Sequence, residues 1–124
     1  MKKLVFILVL LFVCDTASAD IEQDLKLLRE SNTRDSSQAF QLIQDLQNRW
    51  DEFESDEQKA RFYIQESYFY ILKAESQKAK RPLRLLLQLT DVSEDSRLAA
   101  YSLLSQIYMG LNEYQKAFSH LFDG

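Results

Sequence analysis

Seventeen residues of this chain recur at an offset of 38, and that recurrence limits the fold more than any other feature. Tyr63–Ala79 and Tyr101–Ala117 agree at seven positions: Tyr63/Tyr101, Ser67/Ser105, Tyr70/Tyr108, Glu75/Glu113, Gln77/Gln115, Lys78/Lys116 and Ala79/Ala117. About one agreement is expected by chance, so a structural unit is repeated. Ala39-Phe40 set against Ala117-Phe118 marks an earlier, weaker copy. A unit this short cannot bury its own apolar side and must stack on its neighbours.

The unit is helical. Apolar residues return at threes and fours, no segment alternates for long, and the chain has only two Gly and one Pro. Six helices are predicted. The first spans about Asp20 to Glu30, with Ile21, Leu25 and Leu28 on one face, and breaks at Asn32-Thr33-Arg34-Asp35. Ser36 caps the second, which carries Phe40, Ile43, Leu46, Trp50 and Phe53. Ser55-Asp56-Glu57-Gln58 reads as a capping box for the third. The fourth covers roughly Gln77 to Leu89, with Pro82 inside it as a predicted kink. The fifth starts at Glu94-Asp95 and ends at Gly110 to Asn112, and the sixth begins near Glu113. Short connections make antiparallel pairs, so the hairpins are placed at about 20–54, 56–90 and 94–124.

The first nineteen residues stand apart. Lys2-Lys3, the apolar run Leu4–Val13 and the triplet Ala17-Ser18-Ala19 have the layout of a cleaved secretory signal. The apolar run falls short of the ~20 residues a bilayer span needs. Cleavage is expected after Ala19, which removes Cys14, the single cysteine. The alternatives are a buried N-terminal helix and lipid attachment at Cys14, which bulky Val13 disfavours. Without Lys2, Lys3 and Asp15, 13 basic and 18 acidic residues remain, a net charge of −5. That balance argues against nucleic acid and against an anionic membrane surface as partners.

The last hairpin resembles the tetratricopeptide repeat, whose pattern is W-x2-L-G-x2-Y-x8-A-x3-F-x2-A with aromatic and small variants. Tyr101, Leu104, Ser105, Tyr108, Ala117, Leu121 and Gly124 stand at its spacing. The small residues Ser105 and Ala117 let two helices approach, while the large ones fill the gap to the preceding hairpin. In the second hairpin Tyr63, Ser67, Tyr70, Ala79 and Leu83 keep their places, whereas Glu66 replaces the Leu. The stretch Lys59-Ala60-Arg61-Phe62-Tyr63 through Tyr70, behind a signal, is also similar to the exported sensory region of bacterial diguanylate cyclases of the GGDEF type. Their catalytic half is not present in this sequence.

The resemblance implies an all-α fold, a short right-handed solenoid of antiparallel hairpins over residues 20–124, with a concave groove lined by the first helix of each hairpin. Carried onto this sequence, the groove positions are Arg61, Ile64, Tyr68 and Ile71 in the second hairpin and Ala99, Ser102, Gln106 and Met109 in the third. Two functions follow as expectations. One is a non-catalytic, periplasmic module that binds a protein or peptide. The other is the ligand-sensing segment of a longer membrane-bound signalling protein. The apolar end at Phe118, Leu121 and Phe122 leads to the expectation of truncation and of self-association there.

No catalytic or metal-binding set stands out. His120 is the one histidine, and Gly110 and Gly124 build no phosphate loop. Asp51, Glu52, Glu54, Asp56 and Glu57 crowd a helix end and a turn, where solvated charge is the expected role. Lys73, Lys78, Lys80, Arg81 and Arg84 form a basic cluster that reads as an outer face or an anion contact. No enzyme activity and no cofactor are predicted.

Overall fold

The computed structural model describes the backbone of residues 21–123 and the side chains of residues 21–110. Residues 1–20, with the expected signal and Cys14, lie outside the described residues. Five α-helices and no strand are found among them: α1 at 21–34, α2 at Ser36–Asn48, α3 at Asp56–Leu72, α4 at Ser76–Gln88 and α5 at Glu94–Asp123. The chain is all-α, as its periodicity predicts. None of these helices is long and apolar enough to cross a membrane.

Local chemistry sets most boundaries. α1 runs through the predicted break to residue 34 and stops at Asp35, the one residue between α1 and α2. The N-cap of α2 is Asp35 rather than Ser36: its carboxylate accepts from the backbone N–H groups of Ser37 (3.2 Å) and Gln38 (3.3 Å). Ser55 caps α3, accepting from the N–H of Gln58 at 3.1 Å. The Gln58 amide reaches back as in a capping box, but it accepts from Glu54 N–H (2.7 Å), one residue earlier than expected. Ser93 accepts from Ser96 N–H at 3.2 Å and starts α5. Pro82 is buried inside α4, which stays helical on both sides of it.

Three residues turn α3 back into α4. Ala74 has φ 60, and Glu75 N–H donates to Tyr70 O at 2.8 Å, which closes a left-handed helix stop. An alanine pays for that conformation with a Cβ clash that glycine avoids. Ala74→Gly is therefore expected to raise the unfolding free energy by about 0.5–1 kcal/mol in urea melts. An unchanged or lowered midpoint would contradict this turn geometry.

Two apolar clusters hold the helices. In the first, Ile21, Leu25 and Leu28 of α1 meet Ala39, Ile43 and Leu46 of α2 and Phe62 and Phe69 of α3. In the second, Ala60 of α3 packs with Ala79, Leu83 and Leu86 of α4 and Ala100 and Ile107 of α5. Residues 60, 79 and 100 are alanines with no exposed surface, which lets the three helices come close. α3 thus belongs to both clusters and forms the spine of the molecule.

The predicted third hairpin is not formed. The turn placed at Gly110–Asn112 is helical, and α5 continues from Glu94 to Asp123 as one helix of 30 residues where two were expected. A glycine inside a helix costs only about 1 kcal/mol, so it does not end one without a tertiary partner. A Cβ at Gly110 would meet nothing within 4 Å, so no neighbour among the described residues packs against that side of the helix.

Candidate functional site

α1, α3 and α5 lie side by side along one face, and two adjoining cavities run between them. The first, of ≈660 Å3, is lined by Glu22, Lys26 and Arg29 of α1 and by Arg61, Ile64 and Gln65 of α3, among others. The second, of ≈730 Å3, shares Lys26, Arg29, Ile64 and Gln65 and adds Thr33, Tyr68 and, from α5, Ala99, Ser102 and Leu103. The shared residues make them one groove.

Four predicted groove residues, Arg61, Ile64, Tyr68 and Ser102, come together with Ala99. Three others lie outside both cavities. Ile71 is half-buried against the second cluster, and Gln106 and Met109 stand exposed farther along α5. α1 ends at residue 34, and its last turn lines the groove with Thr33 beside Tyr68, so the groove draws on residues 61–68 of α3 and 99–103 of α5.

Arg61 is not a free donor. Its guanidinium donates to both oxygens of Glu22, at 2.7 and 2.9 Å, and this pair clamps α3 to α1. The Arg61 bond, then that from Gln58, holds the Glu22 carboxyl below the usual range, and Glu22 raises the Arg61 pKa in turn. Asn32 adds a second strut, donating to the carbonyl O (3.0 Å) and side-chain O (3.1 Å) of Gln65. Among the described residues Lys26 and Arg29 form no ion pair. They are the groove cations left to meet a ligand. Sequence reasoning missed them because the repeat pattern stops short of α1. Their signal was present: with Ile21, Leu25 and Leu28 inward, Lys26, Arg29 and Thr33 share another stripe.

The charge clusters have other tasks. Glu57 accepts from Ser93 N–H (2.8 Å), Ser93 Oγ (2.9 Å) and Ser96 Oγ (2.7 Å), which ties the α4–α5 loop to α3. The backbone bond from Ser93 is the main cause of its lowered pKa. Asp56 takes the N–H of Asp91 at 3.2 Å. The basic cluster is dispersed: Lys78 pairs with Glu75, Arg84 donates to the Tyr108 hydroxyl, and Lys80 sits 5.3 Å over the Tyr108 ring. Among the described residues no three His, Cys, Asp or Glu side chains gather to hold a metal ion. The side chain of His120 lies outside the described residues.

Across α3 from the groove, a cavity of ≈500 Å3 is lined by Gln47, Trp50, Phe62, Tyr63, Glu66, Arg81 and Leu85. Glu66 stands where the second copy of the internal repeat has Leu104. Desolvation among these rings pushes its pKa up to about 7, against the pull of Arg81 and a 3.5 Å bond from Gln47. It also raises the Tyr63 and Tyr70 hydroxyls, whose own burial is the larger cause. Comparison with protein families, with characterised sequences and with solved structures returns no match for this chain.

Proposed function

We propose that this chain is an exported, non-catalytic interaction module, a short tetratricopeptide-like solenoid whose α1/α3/α5 groove takes an extended segment of a protein partner. The observation that carries the reading is the groove itself. Its floor is apolar at Leu25, Ile64 and Leu103, its rim bears the cations Lys26 and Arg29, which pair with no acid among the described residues, and Tyr68 offers a ring that is 38% exposed. Gln65 and Ser102 supply hydrogen bonds to a peptide backbone. Such a surface suits a segment with an acidic residue beside one or two apolar ones.

Selection of a random peptide library against the full chain tests this. Enriched peptides are expected to be acidic and apolar, and Tyr68→Ala or Lys26→Glu is expected to weaken them by about tenfold, the scale of a truncated anchor residue. Asp51→Asn, in the exposed turn after α2, serves as the control and should change nothing. Peptides that bind both groove variants as tightly as the parent would place the site elsewhere.

A further inference from the structure

The two copies of the internal repeat are in different states. In the first copy the hairpin is closed: Ser67 Oγ donates to the carbonyl O of Ala79 at 2.9 Å, and Ala60, Ser67 and Ala79 have no exposed surface. The equivalent positions of the second copy, 38 residues on, are open. Leu98 is 59% exposed, Tyr101 is 56% exposed, and Ser105 also faces solvent. Tyr108, the equivalent of half-buried Tyr70, is 46% exposed. By the repeat, this face of α5 is built to receive the segment of Ala117 and Leu121, as α3 receives Ala79 and Leu83.

That segment is on the same continuous helix and cannot reach the face. Twelve residues separate positions 105 and 117, so they lie about 18 Å apart along the axis and about 120° apart around it. The turn that would bring them together has a counterpart in the first copy, where Ala74 takes φ 60. Its equivalent is Asn112, a residue that tolerates the left-handed conformation better than alanine, yet here it is helical. A hairpin opened at its connection offers its second half to another molecule.

We propose that the vacant face of α5, made by Leu98, Tyr101 and Ser105 and bordered by Tyr108, which Arg84 and Lys80 of α4 hold, is filled by residues 113–123 from a second copy of this chain, lying on it as α4 lies on α3. The receiving and donated faces of one helix point in directions about 120° apart, so the exchange is head-to-tail rather than two-fold. Each copy donates to one neighbour and receives from another. The assembly grows with concentration instead of stopping at a closed pair.

The test uses the full chain with Cys14→Ser. Ser105→Cys and Ala117→Cys chains, made separately, are mixed and oxidised. A covalent pair containing one of each is expected, since Ser67 Oγ lies 2.9 Å from the carbonyl O of Ala79 in the closed copy, which brings the two residues side by side. Sedimentation across the micromolar range should show species beyond the dimer. Ala117→Leu should weaken association about tenfold by crowding the contact, with helix content unchanged. Three results overturn the proposal: a monomer at every concentration, a closed dimer only, or a Ser105→Cys/Ala117→Cys double variant that bridges within one chain.

Discussion

Replacing Phe62 by Ala is expected to destabilise the fold by roughly 3–5 kcal/mol, the largest single-residue effect in the described part of the chain. Phe62 is 1% exposed and sits where α3 meets the turn Trp50–Glu52. Its ring lies 5.5 Å from that of Trp50, 5.9 Å from Phe53 and 6.0 Å from Tyr63, the first two at near-perpendicular, edge-on angles. Removing it costs the transfer energy of the ring and leaves a hole that three rigid neighbours cannot collapse to fill. For a domain of this size the melting temperature should fall by about 15–30 °C. Trp50 is the only tryptophan, so its emission should also shift as its packing partner goes. Phe40, 44% exposed and 6.0 Å from Phe69, is the comparison: its truncation should cost no more than ~1.5 kcal/mol. Similar losses for both would mean that the aromatic cluster does not centre on Phe62.

The helix period in the sequence reaches part of this cluster: Ile43, Leu46, Trp50 and Phe53 form the stripe read on the second helix, whereas the positions read on the third, Tyr63, Ser67 and Tyr70, leave out Phe62 and Phe69. Helix starts were legible wherever a side chain makes the cap, as at Ser55 and in the acids after Ser93. They were off by one at α2, where Asp35 and Ser36 are both good caps and backbone geometry chose the first. Ala74 gave no signal, since alanine is not a left-handed residue; the hydrogen bond from Glu75 to Tyr70 enforces it. The sixth helix failed for the opposite reason. Gly110 and Asn112 are permissive of a turn without requiring one, and a turn needs packing that local chemistry does not supply. The groove followed the same division. Arg61, Ile64, Tyr68 and Ser102 came from repeat spacing, whereas Lys26 and Arg29 depend on how α1 lies against α3. That placement is fixed by contacts such as Glu22 with Arg61, which are 39 residues apart and invisible to any local pattern.

Glu66→Gln should stabilise the protein above neutrality by on the order of 2–3 kcal/mol at most, and by less than about 1 kcal/mol near pH 5. Glu66 replaces an apolar residue of the repeat, in a cavity walled by Trp50, Phe62 and Tyr63. Its folded pKa of about 7 stands above the 4.5 of an exposed glutamate, with desolvation as the main cause. A raised carboxyl pKa means that the folded chain binds the proton more tightly than the unfolded chain. The wild type therefore loses stability from this group as pH rises from about 4.5 to about 7, and above that it bears the full cost of a half-buried carboxylate. The value of about 7 already includes the pull of Arg81 and Gln47, and solvent at the half-buried carboxyl screens the rest, which makes the figure an upper bound. Glutamine keeps the shape and the hydrogen-bonding edge but carries no charge, so its stability should stay level over the same interval. Glu22 and Glu57 have lowered pKa values, so their stabilising share is lost only as the pH falls below the ordinary carboxylate range, outside the window. Urea unfolding at pH 5 and pH 8, followed through Trp50, measures the comparison directly. Parallel pH dependence in the two proteins would show that Glu66 is solvated and that the wall of rings does not hold its proton.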